Sequence, residues 1–140
     1  MKLLAVAAVL ALSCTACSGD AKEIPTAPTI SPASISESFS GSLTVLNQNS
    51  HNFFVSSAGQ LAITLTEVGP PSDVAIGLGL GVPSGFSCAL TLGTGTQVTV
   101  QASTSAHIKG TAISGTFCVT VYDVGNLTDT VDYTITVAHS

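Results

Sequence analysis

Positive charge is almost absent from this sequence, and arginine is missing altogether. The 140 residues include three basic residues, all of them lysines, and only Lys109 lies beyond residue 37. Without arginine the chain lacks the bidentate clamp that proteins use for phosphate and carboxylate groups. A nucleic-acid surface needs clustered cations to neutralise phosphates. The composition therefore argues against nucleic acid as a partner and against anionic substrates.

Tryptophan is absent too, and aromatic residues make up only 5% of the chain. Sugar-binding β proteins use exposed aromatic rings as stacking platforms, because the apolar face of a ring matches that of a sugar. Most of the rings in this chain fall in rows that are expected to face a core. Phe54 and Phe86 are the exceptions, so these two are the candidate contacts with a ligand such as a neutral glycan.

The longest apolar run stands at the N-terminus. Lys2 is followed by ten residues, Leu3 to Leu12, that are all Leu, Ala or Val. This length fits the hydrophobic region of a signal peptide and is too short to span a bilayer. Residues 1–16 are therefore predicted to be a signal peptide.

The residues after this run resemble the lipobox of bacterial lipoproteins, in which small residues precede a cysteine that becomes acylated. Thr15 and Ala16 fit this pattern before Cys17, which predicts lipidation at Cys17, with Cys14 as a second register. Cleavage without lipidation is the alternative. Because Ser18 follows Cys17 in place of the Asp that retains lipoproteins in the inner membrane, we expect an outer-membrane lipoprotein that faces the periplasm or the cell surface.

Residues 17–37 are predicted to be a flexible linker, because they contain three prolines and no sustained hydrophobic period. The remaining residues, 38–140, are of the usual size for one domain. Since hydrophobic residues make up 45% of the chain and charged residues only 8%, the composition favours a folded core over disorder.

Short runs of alternating apolar and polar residues recur through this domain, with turn residues between them and no helical period. The pattern predicts an all-β fold, an antiparallel β-sandwich of eight or nine short strands. The apolar rows expected to face the core are Phe39, Leu43 and Val45; Phe53 and Val55; Leu61, Ile63 and Leu65; and Val74, Ile76, Leu78 and Leu80.

The last two runs carry the strongest alternation. Residues 114–137 contain a row from Phe117 to Val121 and a row from Val131 to Val137, separated by a Gly, Asn and Asp turn. This arrangement is typical of a β-hairpin, and we expect these two strands to pair.

Cysteine parity predicts one disulfide. Loss of Cys14 with the signal peptide and acylation of Cys17 leave Cys88 and Cys118, an even pair in an oxidising compartment. Cys88 falls in the row of Leu90, whereas Cys118 lies opposite Val119 and Val121. We expect a bulge or an edge strand to reconcile the two positions.

Side chains that carry chemistry are scattered. The turn offers Asp123, Asn126 and Asp129, with Asp132 nearby, as oxygen ligands for a structural calcium ion, although tight turns require the same residue types. His51, His107 and His139 lack the spacing of a metal site, so we expect surface or strand-end histidines. No catalytic or cofactor-binding residues are predicted, and we expect a protein that is not an enzyme.

Parts of the domain resemble the bacterial pre-peptidase C-terminal domain family. The similarity is carried by residues 51–61, Asp73, residues 116–128 and residues 131–137. The resemblance implies a jelly-roll-like β-sandwich without catalytic activity, of a kind usually appended to secreted peptidases. No peptidase is attached in this chain.

Together these patterns predict a non-catalytic lipoprotein of the cell envelope that serves as a structural or binding module. A membrane holds it through the lipid anchor, and an envelope protein or a neutral glycan is the expected ligand. An accessory domain that assists a secreted peptidase is the alternative that the resemblance implies.

Overall fold

The structure is a computed structural model that describes residues 30, 32–33, 35–91, 93 and 95–140. The predicted signal peptide, the lipidation site Cys17 and most of the predicted linker lie outside the described residues. Within them, no helix is long and apolar enough to cross a membrane.

The described residues form nine strands, which confirms the all-β prediction. The strands are β1 (Ile35–Leu43), β2 (Gln48–Val55), β3 (Gly59–Gly69), β4 (Ile76–Ser84), β5 (Ser87–Leu90), β6 (Gln97–Val100), β7 (Ile108–Ala112), β8 (Gly115–Tyr122) and β9 (Val131–His139). The first strand begins at Ile35, so the sandwich starts three residues before the predicted boundary at residue 38.

The strands form two antiparallel sheets. The first has the order β1-β9-β3-β7, and the second has the order β2-β8-β4, with β5 and β6 both pairing with β4. The pairs are nested along the chain, since β1 pairs with β9, β2 with β8, β3 with β7, and β4 with β5 and β6. This is the antiparallel jelly roll, as predicted.

The core lies between the two sheets and is built from alternate residues of each strand. Most of the predicted rows are buried or pack against the core, including those of β2, β3 and β4. Val45 is the exception: it belongs to the turn after β1 and is 42% exposed. Alternation ends where the strand ends, and β1 ends at Leu43.

The predicted hairpin of β8 and β9 is wrong, because these strands belong to different sheets. The rows from Phe117 to Val121 and from Val131 to Val137 do face the core, as expected. They line the core from opposite sheets instead of lying side by side in one sheet. Alternation is the same in both arrangements, so it cannot distinguish them.

The predicted disulfide joins Cys88 on β5 to Cys118 on β8, with 5.8 Å between the Cα atoms. Gly81 of β4 lies between the two strands, since it pairs with both Leu90 and Cys118. A Cβ atom added at Gly81 would collide with the carbonyl oxygen of Ala89 and lie 2.9 Å from Cys88 Sγ. The edge strand β5 therefore lies close over Gly81.

Cys88 and Cys118 lie on the same face of the second sheet, because the row of Cys88 and Leu90 points outward and not into the core. Leu90 packs against Gly79, and Tyr122 packs against Gly77, so both side chains cover the glycine face of β4 that points away from the core. Cys118 also points to this outer face. A bulge or an edge strand was expected here, and β5 is the edge strand.

The disulfide encloses a long segment, since the two cysteines are 30 residues apart. Chain-entropy arguments give about 3–4 kcal/mol of stabilisation for a loop of this length. This is a large part of the stability of a small domain.

We expect Gly81→Ala to lower the free energy of unfolding by about 1–3 kcal/mol, the usual range for overpacking. The added methyl group collides with the Ala89 backbone and the disulfide, which cannot rotate away. Gly110→Ala is the matched control on β7, because a Cβ atom there meets nothing within 4 Å. Urea unfolding measures both variants, and equal stability of G81A and G110A would contradict the close packing of β5.

Candidate functional site

Most of the loops and strand ends of the sandwich lie at one of two ends. The first, called the Asp123 end, holds residues 44–47, 70–75 and 123–130. The second, called the Phe86 end, holds residues 56–58, 85–86 and 113–114, together with the start of β1 and the end of β9. The predicted site residues fall at both.

Phe54 and Phe86 are exposed at the Phe86 end. Phe86 lies in the turn between β4 and β5 with its side chain fully in solvent, and Phe54 lies near the end of β2 and is 60% exposed. Their exclusion from the core rows is therefore correct. Their contact with a ligand stays a prediction.

Asp123 organises the turns at the other end. Its Oδ1 accepts hydrogen bonds from the backbone N–H groups of Gly125, Asn126 and Leu127, and its Oδ2 accepts one from Leu46 at 2.8 Å. The bond from Leu46 is the main reason that the pKa of Asp123 lies below its ordinary value, and the other three add to it against the opposing effect of desolvation. Both carboxylate oxygens of Asp123 therefore accept hydrogen bonds from backbone N–H groups.

The other three calcium candidates have separate partners. Asn126 donates to the carbonyl of Ala75, Asp129 accepts from the hydroxyl of Thr128, and Asp132 accepts from the hydroxyl of Ser42 on β1. Among the described residues, no group of three His, Cys, Asp or Glu side chains is arranged to hold a metal ion. Calcium binding stays a prediction.

The turn that Asp123 holds exposes an apolar tip, which sequence reasoning missed. Leu46 adopts a left-handed backbone conformation with φ of 57° and is 83% exposed. Val45 beside it and Val124 on the neighbouring loop are also exposed. We call Val45, Leu46 and Val124 the Leu46 tip. No local sequence signal marks it, because Asp123 lies 77 residues away.

Two histidines are more buried than expected. His139 is 1% exposed, and its Nε2 lies 2.8 Å from Oε1 of Glu37 on β1. His51 lies within β2, where its Nε2 is 2.8 Å from the hydroxyl of Tyr133 and its ring stacks on Phe39. The alternating pattern indicates this burial, because His51 continues the core-facing row of Phe53 and His139 continues that of Val137.

These pairs close the side of the sandwich where the edge strands β1 and β2 face each other. The bond between His51 and Tyr133 joins the two sheets, since β2 and β9 belong to different ones. Burial lowers the pKa of His51 and raises that of Tyr133, and both shifts favour the neutral form of the side chain. A neutral hydrogen-bonded pair in this position joins the sheets.

A shallow polar cleft lies on the outer face of the first sheet near the Asp123 end. Its hydroxyl groups are paired within the protein, since Ser40 bonds Thr134 and Ser42 bonds Asp132. Glu67 accepts from Thr134 at 3.3 Å. This cleft places Glu67 beside Asp132 on the surface of that end.

We expect the stability of the fold to decrease as the pH falls below 6.5, partly because of His51. Burial makes the folded protein bind the proton of His51 only below this ordinary pKa, whereas the unfolded chain binds it near 6.5. The contribution of neutral His51 is therefore complete above 6.5 and is lost as the pH falls towards the lowered pKa.

Urea unfolding over this pH range checks the expectation, with His51→Gln as the control. Glutamine retains a hydrogen-bonding group for Tyr133 but does not titrate. The decrease in stability should be smaller in H51Q, and identical pH profiles would contradict a buried neutral His51.

In comparisons with known proteins, no family model matches this chain, and no curated protein matches it.

Proposed function

We propose that this chain is a non-catalytic lipoprotein of the bacterial outer membrane, anchored through Cys17, whose sandwich binds a second envelope protein. The predicted signal peptide, the lipobox resemblance before Cys17 and the predicted linker support the anchor. The observation that supports the binding role is the Leu46 tip at the Asp123 end.

A single exposed leucine needs no explanation in a soluble protein, but the backbone of Leu46 does. A left-handed conformation costs a residue other than glycine about 1–2 kcal/mol. Here the hydrogen bond to Asp123 offsets that cost and keeps an apolar side chain in solvent. Non-glycine residues in such conformations concentrate at binding sites. The turn is therefore well suited to present Leu46 to a partner.

Charge at this end defines the chemistry of the partner. Five of the six side-chain carboxylates among the described residues lie here: Glu67, Asp73, Asp123, Asp129 and Asp132. Lys109, the basic residue of the described part, lies on β7 towards the opposite end. A protein with an apolar pocket surrounded by basic residues complements this surface. A secreted peptidase is one candidate, because the family resemblance implies such a partner.

We expect the mature protein to begin with an acylated Cys17. Mass spectrometry of the full chain expressed in a bacterium measures this modification. Cys17→Ser should abolish the acyl groups, whereas Cys14→Ser should retain them, since Cys14 is removed with the signal peptide. An unmodified peptide that spans Cys17 would contradict the anchor.

We expect Leu46→Asn to abolish capture of the partner from envelope extract by the immobilised protein. Asparagine tolerates the left-handed conformation, so the turn is retained while its apolar side chain is lost. Asp123→Ala should also weaken capture, because it removes the acceptor that holds Leu46.

Ile113→Asn is the matched control, since Ile113 is 73% exposed at the other end. It should capture the same protein as the wild type, and capture should weaken as salt screens the carboxylates. Equal capture by L46N and the wild type, or a partner without a basic surface, would contradict the proposed role.

A further inference from the structure

The Phe86 end is the end at which the N-terminal segment joins the sandwich. β1 begins there at Ile35, which pairs with His139 at the end of β9. Ile30 and Ala33 lie beside β3 and β7, and the thirteen residues from Cys17 to residue 29 that precede them reach about 45 Å when fully extended. A tether of this length does not by itself hold the domain on a membrane, so the surface of the domain decides how it lies there.

Apolar side chains project from this end. They come from the β4–β5 turn, the β7–β8 connection and the strands β1, β2 and β4. These side chains are Phe86, Ile113, Phe54, Ile35 and Val82, each at least 43% exposed. Phe86, the most exposed of them, stands in a two-residue turn with Gly85. Aromatic and aliphatic side chains of this kind bind the interface between lipid head groups and acyl chains.

The Phe86 end also carries little negative charge. Glu37 is the one side-chain carboxylate of the described residues that lies towards it, and that group is paired with the buried His139. Lys109 lies in the same half of the sandwich and carries the charge that anionic lipids attract. The remaining five carboxylates lie at the opposite end, where they are farthest from a negatively charged membrane surface.

We infer that the Phe86 end rests on the lipid bilayer, with Phe86 and Ile113 in the interfacial region. The inference deepens the proposed function, since it takes the anchor from that proposal and adds the surface through which the domain itself binds lipid. In this orientation the Leu46 tip points away from the membrane that holds the anchor.

The absence of tryptophan provides a direct test, because one introduced tryptophan reports on one position. Phe86→Trp and Ile113→Trp place the reporter at the proposed contact, and Leu46→Trp places it at the opposite end as the matched control. All three side chains are exposed, and thermal unfolding checks that each variant folds. The full-length lipidated variants are reconstituted into phosphatidylcholine vesicles with and without bromine on the acyl chains.

Brominated lipid should quench F86W and I113W and leave L46W unchanged, since interfacial side chains lie about 5–10 Å into the head-group and acyl boundary. Flotation of the vesicles measures the anchor separately. If the protein floats and F86W and I113W are not quenched, the inference is wrong and the anchor stands. If the protein does not float, both are wrong. A blue shift of F86W without vesicles would indicate contact between two copies, and that result would also overturn the inference.

Discussion

The fold depends on the burial of the inward side chains of β8 and β9 in one shared core. Both strands are central, since β9 lies between β1 and β3, and β8 lies between β2 and β4. Full burial of an aliphatic side chain stabilises a protein by about 1.5–3 kcal/mol, and Val119, Val121, Ile135 and Val137 are all completely buried. The other strands flank these two, since β1 and β3 pair with β9, and β2 and β4 pair with β8. The nested pairing of the jelly roll is built around them.

Alternation predicted most of the fold, because a period of two assigns each side chain to a face before the sheets are known. It identified the buried rows of β3 and β9 and the number of strands. It could not show that β8 and β9 face each other, because two rows of apolar residues are required whether strands pair or oppose. The disulfide was predictable from the even number of cysteines in the domain and from the oxidising compartment that the export signal implies. The face on which Cys88 lies was not, since it depends on how closely β5 approaches Gly81.

The candidate sites were less predictable because their partners are distant in sequence. His139 and Glu37 are 102 residues apart, and His51 and Tyr133 are 82 apart, so no local motif links them. The conformation of Leu46 depends on Asp123 in the same way. Exposure of Phe54 and Phe86 was predictable, because each falls outside an alternating row. Lipidation depends on residues that precede the sandwich and stays a prediction.

The pairing of Ile35 with His139 has a consequence for the architecture of larger proteins. The chain enters and leaves the sandwich through neighbouring positions on adjacent strands, an arrangement that favours circular permutation and insertion of a domain into a loop of another protein. A polypeptide that continued beyond Ser140 would start near Ile35, where β1 begins. A module of this kind can be joined to other domains at either terminus without disturbing the loops at the Asp123 end.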